Sequence, residues 1–272
     1  MKKPLRLMCI LAHPDDESLG MGGTLAKYAA EGIETYLVTA TRGERGWFGE
    51  EKDYPGLEAL GRIREAELHC ASQALGIREV NLLSYVDGDL DQAKGEEVIG
   101  EIVVHLRMLN PDVVVTFAPE GAYGHPDHIA ISQFATASVV KAAFPDSGSA
   151  KKYNSYPPHR VSKLYYMAWT RSKWSAYESV FGNLVMDIDG TERHTEPWPD
   201  WAITTVISTE SYWPTVWQAV SCHKSQLVAY SKLQNLSEEH HKGLWGTQEF
   251  YRAFSLVNSG RKREDDLFEG LR

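Results

Sequence analysis

Two short stretches carry side chains able to do chemistry together: Ala12-His13-Pro14-Asp15-Asp16-Glu17 and Tyr123-Gly124-His125-Pro126-Asp127-His128. Each follows an apolar run and precedes a helix-like pattern, which predicts a strand end running into a helix start. In an open α/β sheet, loops at the carboxyl ends of strands are where ligands bind. His13 and Asp16 offer an imidazole and a carboxylate within one tight turn, and His128 offers a second imidazole. Two imidazoles and a carboxylate suffice to hold Zn²⁺ with a position left for water, and suit Fe²⁺ or Mn²⁺ as well. Asp15 adds a carboxylate beside the metal but not bound to it. That is equipment for metal-assisted hydrolysis. Taken singly, either stretch also reads as helix capping, with first-turn acids complementing a helix dipole.

The elements that must position these residues are legible in outline. Leu5 to Leu11 reads as a buried strand, followed by Gly20, Gly22 and Gly23 and a helix from about Thr24 to Glu31. The glycines do not make GxGxxG and acids fill the turn, so a dinucleotide reading is rejected; they let backbone pack closely beneath the acidic turn. Thr35 to Ala40 is a second strand, and the loop from Thr41 to Pro55 is predicted to wall the site. A helix from Leu57 to Leu75 follows, with Leu57, Leu60, Ile63, Ala71 and Ala74 as its buried stripe. Val80 to Leu83 and Val113 to Phe117 are strands around a helix from about Glu96 to Leu109, and Ile129 to Ala143 is helical, with Phe134, Ala135, Val139 and Val140 as core contacts. This alternation predicts an α/β, Rossmann-like, mostly parallel sheet flanked by helices.

From Phe144 to Arg160 the chain reads as a linker or lid. Beyond it, Lys163 to Trp169, Val185 to Ile188 and Ile203 to Ser208 suggest strands, and Tyr212 to about Val228 a helix. The expected organisation is one domain over residues 1–272: a core to about 145 and a C-terminal α/β extension, about 146–272, that forms part of the site. Seven of the eight Trp lie in that second half, and each reads more readily as a core or interface residue than as a sugar platform. A homo-oligomer is compatible with so aromatic a half. The final charged run, Arg261 to Asp266, reads as a solvated end.

Composition narrows the class. Hydrophobic content of 43% and charged content of 24% are those of a soluble globular protein. A net charge of −9 argues against nucleic-acid binding, which needs Lys and Arg. No apolar stretch approaches the length of a membrane span. Cys9, Cys70 and Cys222 are odd in number and widely spaced, so no disulfide is expected and a cytoplasmic setting is the simplest.

At His13-Pro14-Asp15-Asp16-Glu17 and His125-Pro126-Asp127-His128 the sequence resembles the LmbE-like, or PIG-L, family of zinc-dependent de-N-acetylases. The likeness covers the first 145 or so residues well and the rest loosely. It implies removal of an N-acetyl group from an N-acetylglucosamine-type sugar or conjugate, a small-molecule substrate. By that resemblance His13, Asp16 and His128 hold the metal and Asp15 is the general base. His125 stabilises the tetrahedral intermediate or protonates the leaving amine. Asp127 is expected to orient His125 and raise its pKa, and Tyr123 could donate to the oxyanion. Arg62, in an Arg-x-x-Glu pattern with Glu65, and Asp87 match family positions that contact sugar hydroxyls. His223 and Gln226 match a late-helix His-x-x-Gln element, which makes Gln226 a substrate-binding candidate. The loops from Thr41 to Pro55 and Ser84 to Gln92 are mostly polar, which suits a polyhydroxylated ring better than an apolar channel. Two alternatives stay open: another metal-dependent amide or ester hydrolase on this scaffold, or a silent sugar-binding protein. The intact Asp15 and His125 argue against the silent one, since a binding protein needs neither a free base nor an acid.

Overall fold

The structure, a computed structural model, describes residues 3–145, 156–188, 190–258, 260 and 262–272. Most of the linker expected between Phe144 and Arg160 lies outside the described residues. Five parallel strands form the first part of a seven-stranded sheet: β1 (Arg6–Leu11), β2 (Glu34–Thr41), β3 (Glu79–Tyr85), β4 (Val113–Phe117) and β5 (Lys163–Met167). Two antiparallel strands, β8 (Thr205–Ser208) and β9 (Thr247–Ser255), complete it, in the order β3-β2-β1-β4-β5-β9-β8. A separate hairpin pairs β6 (Val185–Ile188) with β7 (Thr191–His194).

Every residue from Leu7 to Ala12 is fully buried, as is Val113 to Val115. That is why these stretches are continuous apolar runs and not alternating ones: helices cover both faces. The covering helices of the first half are α1 (Asp16–Leu19), α2 (Gly22–Ala30), α3 (Leu57–Leu75), α4 (Gly95–Leu109), the short turn α5 (Gly121–Gly124) and α6 (Pro126–Ala142). The strand order reverses direction between β1 and β4. That is the topological switch point of an open α/β sheet, and the two histidine stretches are what follow those two strands.

The second half is richer than its sequence pattern suggested. Helices α7 (Arg171–Phe181) and α9 (Glu238–Trp245) and strand β9 were not anticipated. Helix α8 spans only Trp213–Val220, so His223 and Gln226 sit on a 3₁₀ turn after it and not within a long helix. A second apolar cluster gathers here, including Val216, Val220, Leu244 and Trp245. Trp201 is the outlier at 83% exposed. Gly23 meets this half so closely that a Cβ would lie 2.7 Å from Thr209, which is the close packing the glycine cluster predicted.

Three expectations are corrected. In α3, Leu57 and Ile63 are exposed, and the buried stripe is Leu60, Arg64, Leu68, Ala71 and Leu75; in α6, Val140 is exposed. Cys70 and Cys222 form a disulfide joining α3 to the turn beyond α8; their separation of 152 residues hid their proximity. In the C-terminal run, of which Arg261 lies outside the described residues, Lys262, Arg263 and Asp265 are exposed as expected, but Glu264 is buried and its carboxylate accepts from Lys163 (2.7 Å), Tyr165 (2.7 Å), Thr205 (2.7 Å), Arg252 (2.7 Å) and Asn258 (2.6 Å). No helix among the described residues is long and apolar enough to cross a membrane.

The Glu264 cluster should dominate stability in its region. Lys163 is fully buried, and removing its counter-charge leaves an uncompensated ammonium, at a cost of about 3–5 kcal/mol. Burial opposes the Glu264 charge, but Lys163, Asn258, Tyr165 and Thr205 outweigh it and hold the carboxyl down at about 2 against an ordinary 4.5. Its contribution is therefore complete above about pH 4.5 and fades as pH falls toward 2. Urea unfolding of Glu264→Ala at pH 7 is expected to show that loss. A change within about 0.5 kcal/mol, the range of an ordinary surface substitution, would remove the cluster from the stabilising set.

Candidate active site

The turn after β1 is built around the Asp16 carboxylate. Its Oδ2 accepts from the backbone N–H groups of Ala12 (3.1 Å) and His13 (2.8 Å), which leaves Oδ1 directed at His128 Nε2, 3.4 Å away. Asp15 takes φ 108°, a region that few residues other than Gly, Asn and Asp enter. The strain is held by Glu17, which is fully buried. Its Oε2 accepts from the Asp15 N–H at 3.0 Å, and its Oε1 bonds Ser18 Oγ at 2.5 Å and His223 Nε2 at 2.8 Å. His223 thus anchors the turn from below; Gln226 lines the cavity and donates to Gly46 O at 2.8 Å, tying down the Thr41–Pro55 loop.

The turn after β4 delivers two imidazoles, His125 and His128, into contact with His13. His128 stacks on Phe117 at 3.9 Å, and its Nδ1 donates to Gly121 O at 3.3 Å, so its Nε2 carries the bare lone pair. His13 Nε2 lies 3.1 Å from both Asp127 Oδ2 and Asp87 Oδ1, which can only accept, so its Nδ1 carries the lone pair. These two bare nitrogens face each other at 3.1 Å, with Asp16 Oδ2 3.9 Å from His13 Nδ1. Acceptors converging with no donor among them repel unless a cation sits between. In the metal-free protein a proton takes that part. Burial disfavours a charge on His13, yet the bonds to Asp127 and Asp87 lift its pKa to about 10, and His128 with His13 holds Asp16 well below the carboxylate range despite burial. The donor set fits a divalent metal, and a carboxylate behind a ligand imidazole is the usual support for one.

His13, His125 and His128 form one group able to hold an ion, and His13, Asp87 and Asp127 another. His125 differs from its neighbours: its Nδ1 accepts from the Asp127 backbone N–H at 3.1 Å, so its Nε2 bears the hydrogen. Burial and the imidazoles of His13 and His128 depress it to about 3. It is a neutral N–H donor. The Asp127 charge does raise the His125 pKa, as expected, but is outweighed; the expectation that its carboxylate orients His125 is corrected, because that carboxylate bonds His13 and accepts from Gly88 N (2.7 Å) and Leu90 N (3.1 Å). Asp87 shares this work, its second oxygen accepting from Arg45 N at 3.0 Å, which gives it a task besides the polyol contact expected. Tyr123 lines the cavity edge-on to His128, and burial raises its hydroxyl pKa, so it stays a donor.

The arginine is the clearest correction. Arg62 is exposed and pairs with Glu58 one turn away, outside the cavity. Arg64 is buried and donates to Asp15 Oδ2 (3.0 Å), Pro14 O (2.6 Å) and Gly43 O (2.7 Å). Gly43 has φ 63°, and a Cβ there would lie 2.3 Å from the guanidinium, so no other residue fits. Tyr230, which no motif marked, donates to Asp15 Oδ2 at 2.8 Å. Burial raises the Asp15 pKa, with Asp16 adding to it and Arg64 opposing. The three imidazoles, Asp15, Asp16, Arg64, Tyr123 and Tyr230 open on one cavity of about 330 Å³. Its far wall is aromatic, with Trp169, Trp174 and Trp198 among its residues, contrary to the polar surround expected.

A parallel α/β sheet with clustered imidazoles and carboxylates at its switch point defines a metal-assisted hydrolase in general terms. Residues 8–139 match the family described as PIG-L, GlcNAc-PI de-N-acetylase. The chain is 34% identical to a 1D-myo-inositol 2-acetamido-2-deoxy-alpha-D-glucopyranoside deacetylase of Rhodococcus jostii, over 98% of both chains. It is 29% identical to a mycothiol S-conjugate amidase of Streptomyces coelicolor, over 100% of this chain and 99% of the other. Among solved structures, an N,N'-diacetylchitobiose deacetylase from Pyrococcus horikoshii shares the fold, with TM-score 0.65, 21% identity and coverage of 92% and 84%. The chain belongs to the PIG-L family of deacetylases, hydrolases that act on amide C–N bonds.

Proposed function

We propose that the protein removes the N-acetyl group from an N-acetylglucosamine-type sugar conjugate, with His13, Asp16 and His128 holding Zn²⁺. The observation that carries this is the convergence of two bare imidazole nitrogens and a carboxylate beside a second, unshared carboxylate, Asp15. A divalent cation there would polarise the acetamide carbonyl and lower the pKa of water to about 7. Asp15 takes the proton of the attacking water. Arg64 and Tyr230 both hold its Oδ2, which fixes the carboxylate and leaves Oδ1 for the water, while its raised pKa strengthens it as a base. His125 Nε2–H and the Tyr123 hydroxyl donate to the carbonyl oxygen as charge develops on it. The proton taken by Asp15 passes to the departing amine. Gln226 and Asp87 shape the sugar side of the cavity.

We also propose that residues 1–272 act as one unit. What supports this is that β5, β8 and β9 extend the sheet begun by β1 to β4, and that Tyr230 and Gln226 reach the site from the second half. The test of the function is acetate release from N-acetylglucosamine and its glycosides, with acetyl-lysine peptides and phosphoesters as controls. Release from the sugars is expected to stop with a chelator and return with Zn²⁺. Turnover confined to the controls would sink the reading.

A further inference from the structure

The aromatic wall is a continuous stack. Trp169 lies on Tyr177 with centroids 4.5 Å apart, Tyr177 on Phe181 at 5.8 Å, and Phe181 meets Tyr230 edge-on at 5.8 Å. The stack ends at the base, through the Tyr230 hydroxyl bonded to Asp15. The hydroxyls of its two tyrosines both turn into protein: Tyr177 OH donates to Leu19 O at 2.7 Å and Tyr230 OH to Asp15 Oδ2 at 2.8 Å. What the stack offers a ligand is carbon. A rim of hydroxyls laid along Tyr177 and Phe181 would find no partner on these two rings, whereas an aryl or alkyl group would be taken out of water at a gain.

The acetyl methyl is one carbon and cannot occupy a wall of four rings. The occupant must be a part of the substrate beyond the acetyl group. The wall residues run from Trp169 to Tyr230, outside the residues 8–139 that match the family model, and so stand apart from the two motifs that carry the shared chemistry. We infer that this wall is a subsite for an apolar aglycone, and that the preferred substrate is N-acetylglucosamine bearing an aryl or alkyl group. The inference rests on the deacetylase reading and adds the aglycone class to it.

The experiment measures kcat/KM for acetate release from the methyl, phenyl, octyl and inositol glycosides of N-acetylglucosamine, with wild type, Phe181→Ala and Phe181→Leu. Phenyl and octyl glycosides are expected to exceed the methyl glycoside by about 10- to 100-fold, carried by KM, as burial of one such group allows. Phe181→Ala should erase most of that advantage and leave the methyl glycoside unchanged, and Phe181→Leu should restore part of it. Equal kcat/KM across the glycosides, or a preference for inositol, would overturn this inference alone. So would equal losses on methyl and phenyl glycosides, or a preference for N-octanoyl over N-acetyl on one sugar, which would give the wall to the acyl tail. No acetate from any sugar would overturn the deacetylase reading and this inference with it.

Discussion

Asp15→Asn is expected to lower kcat on an N-acetylglucosaminyl substrate by about 10²- to 10⁴-fold while metal content stays at the wild-type level. The substitution suits the site because its backbone constraint is severe. Asn is among the few residues that tolerate a positive φ such as the 108° of Asp15, so the turn is kept where alanine would strain it. The Asn carbonyl oxygen can still accept from Arg64 and Tyr230, which hold the wild-type Oδ2 at 3.0 and 2.8 Å. What is lost is the capacity to take a proton. Arg64→Ala makes a useful contrast. It removes the group that fixes the carboxylate, so kcat should fall less than with Asp15→Asn, and the fold should suffer more because Pro14 O and Gly43 O lose their donor. If Asp15→Asn keeps more than a tenth of wild-type kcat, Asp15 is not the base.

The two motifs and the sheet were legible because their signals are local. A continuous apolar run predicts a strand covered on both faces, and a strand end followed by acids predicts the turn. Arg64 was within reach of the same reasoning. It follows Leu60 by four residues and precedes Leu68 by four, so it rides the buried stripe of its helix, and an arginine on an apolar stripe points to a buried partner. Arg62 was favoured instead because the family's Arg-x-x-Glu pattern was set on Arg62 and Glu65, and the misplaced Ile63 hid the true phase of the stripe. Tyr230, the Cys70–Cys222 disulfide and the Glu264 cluster were not legible. Each joins residues more than 90 positions apart, and no periodicity encodes such a meeting. The role of Asp127 failed differently: sequence put it beside His125 and His128, and only the fold turns its carboxylate across to His13.

His128→Ala is expected to abolish both tight metal binding and turnover, whereas Asp127→Asn should keep a metal site weakened by about 10- to 100-fold. The difference follows from where each side chain stands. His128 presents its bare Nε2 to His13 Nδ1 and Asp16 Oδ1, so its loss leaves one imidazole and one carboxylate, too few to hold the ion. Asp127 stands on the opposite edge of His13, where it keeps Nε2 protonated and Nδ1 free to bind. An Asn amide can donate as well as accept, so the tautomer is left to Asp87 alone, and binding weakens without vanishing. Elemental analysis of the purified variants, with a Zn²⁺ titration of each apoprotein, separates the two cases. The reverse pattern has a definite meaning, because His13, Asp87 and Asp127 form a second group able to hold an ion. Should His128→Ala keep its metal while Asp127→Asn loses it, the ion belongs on that side of His13, and His128 leaves the ligand set.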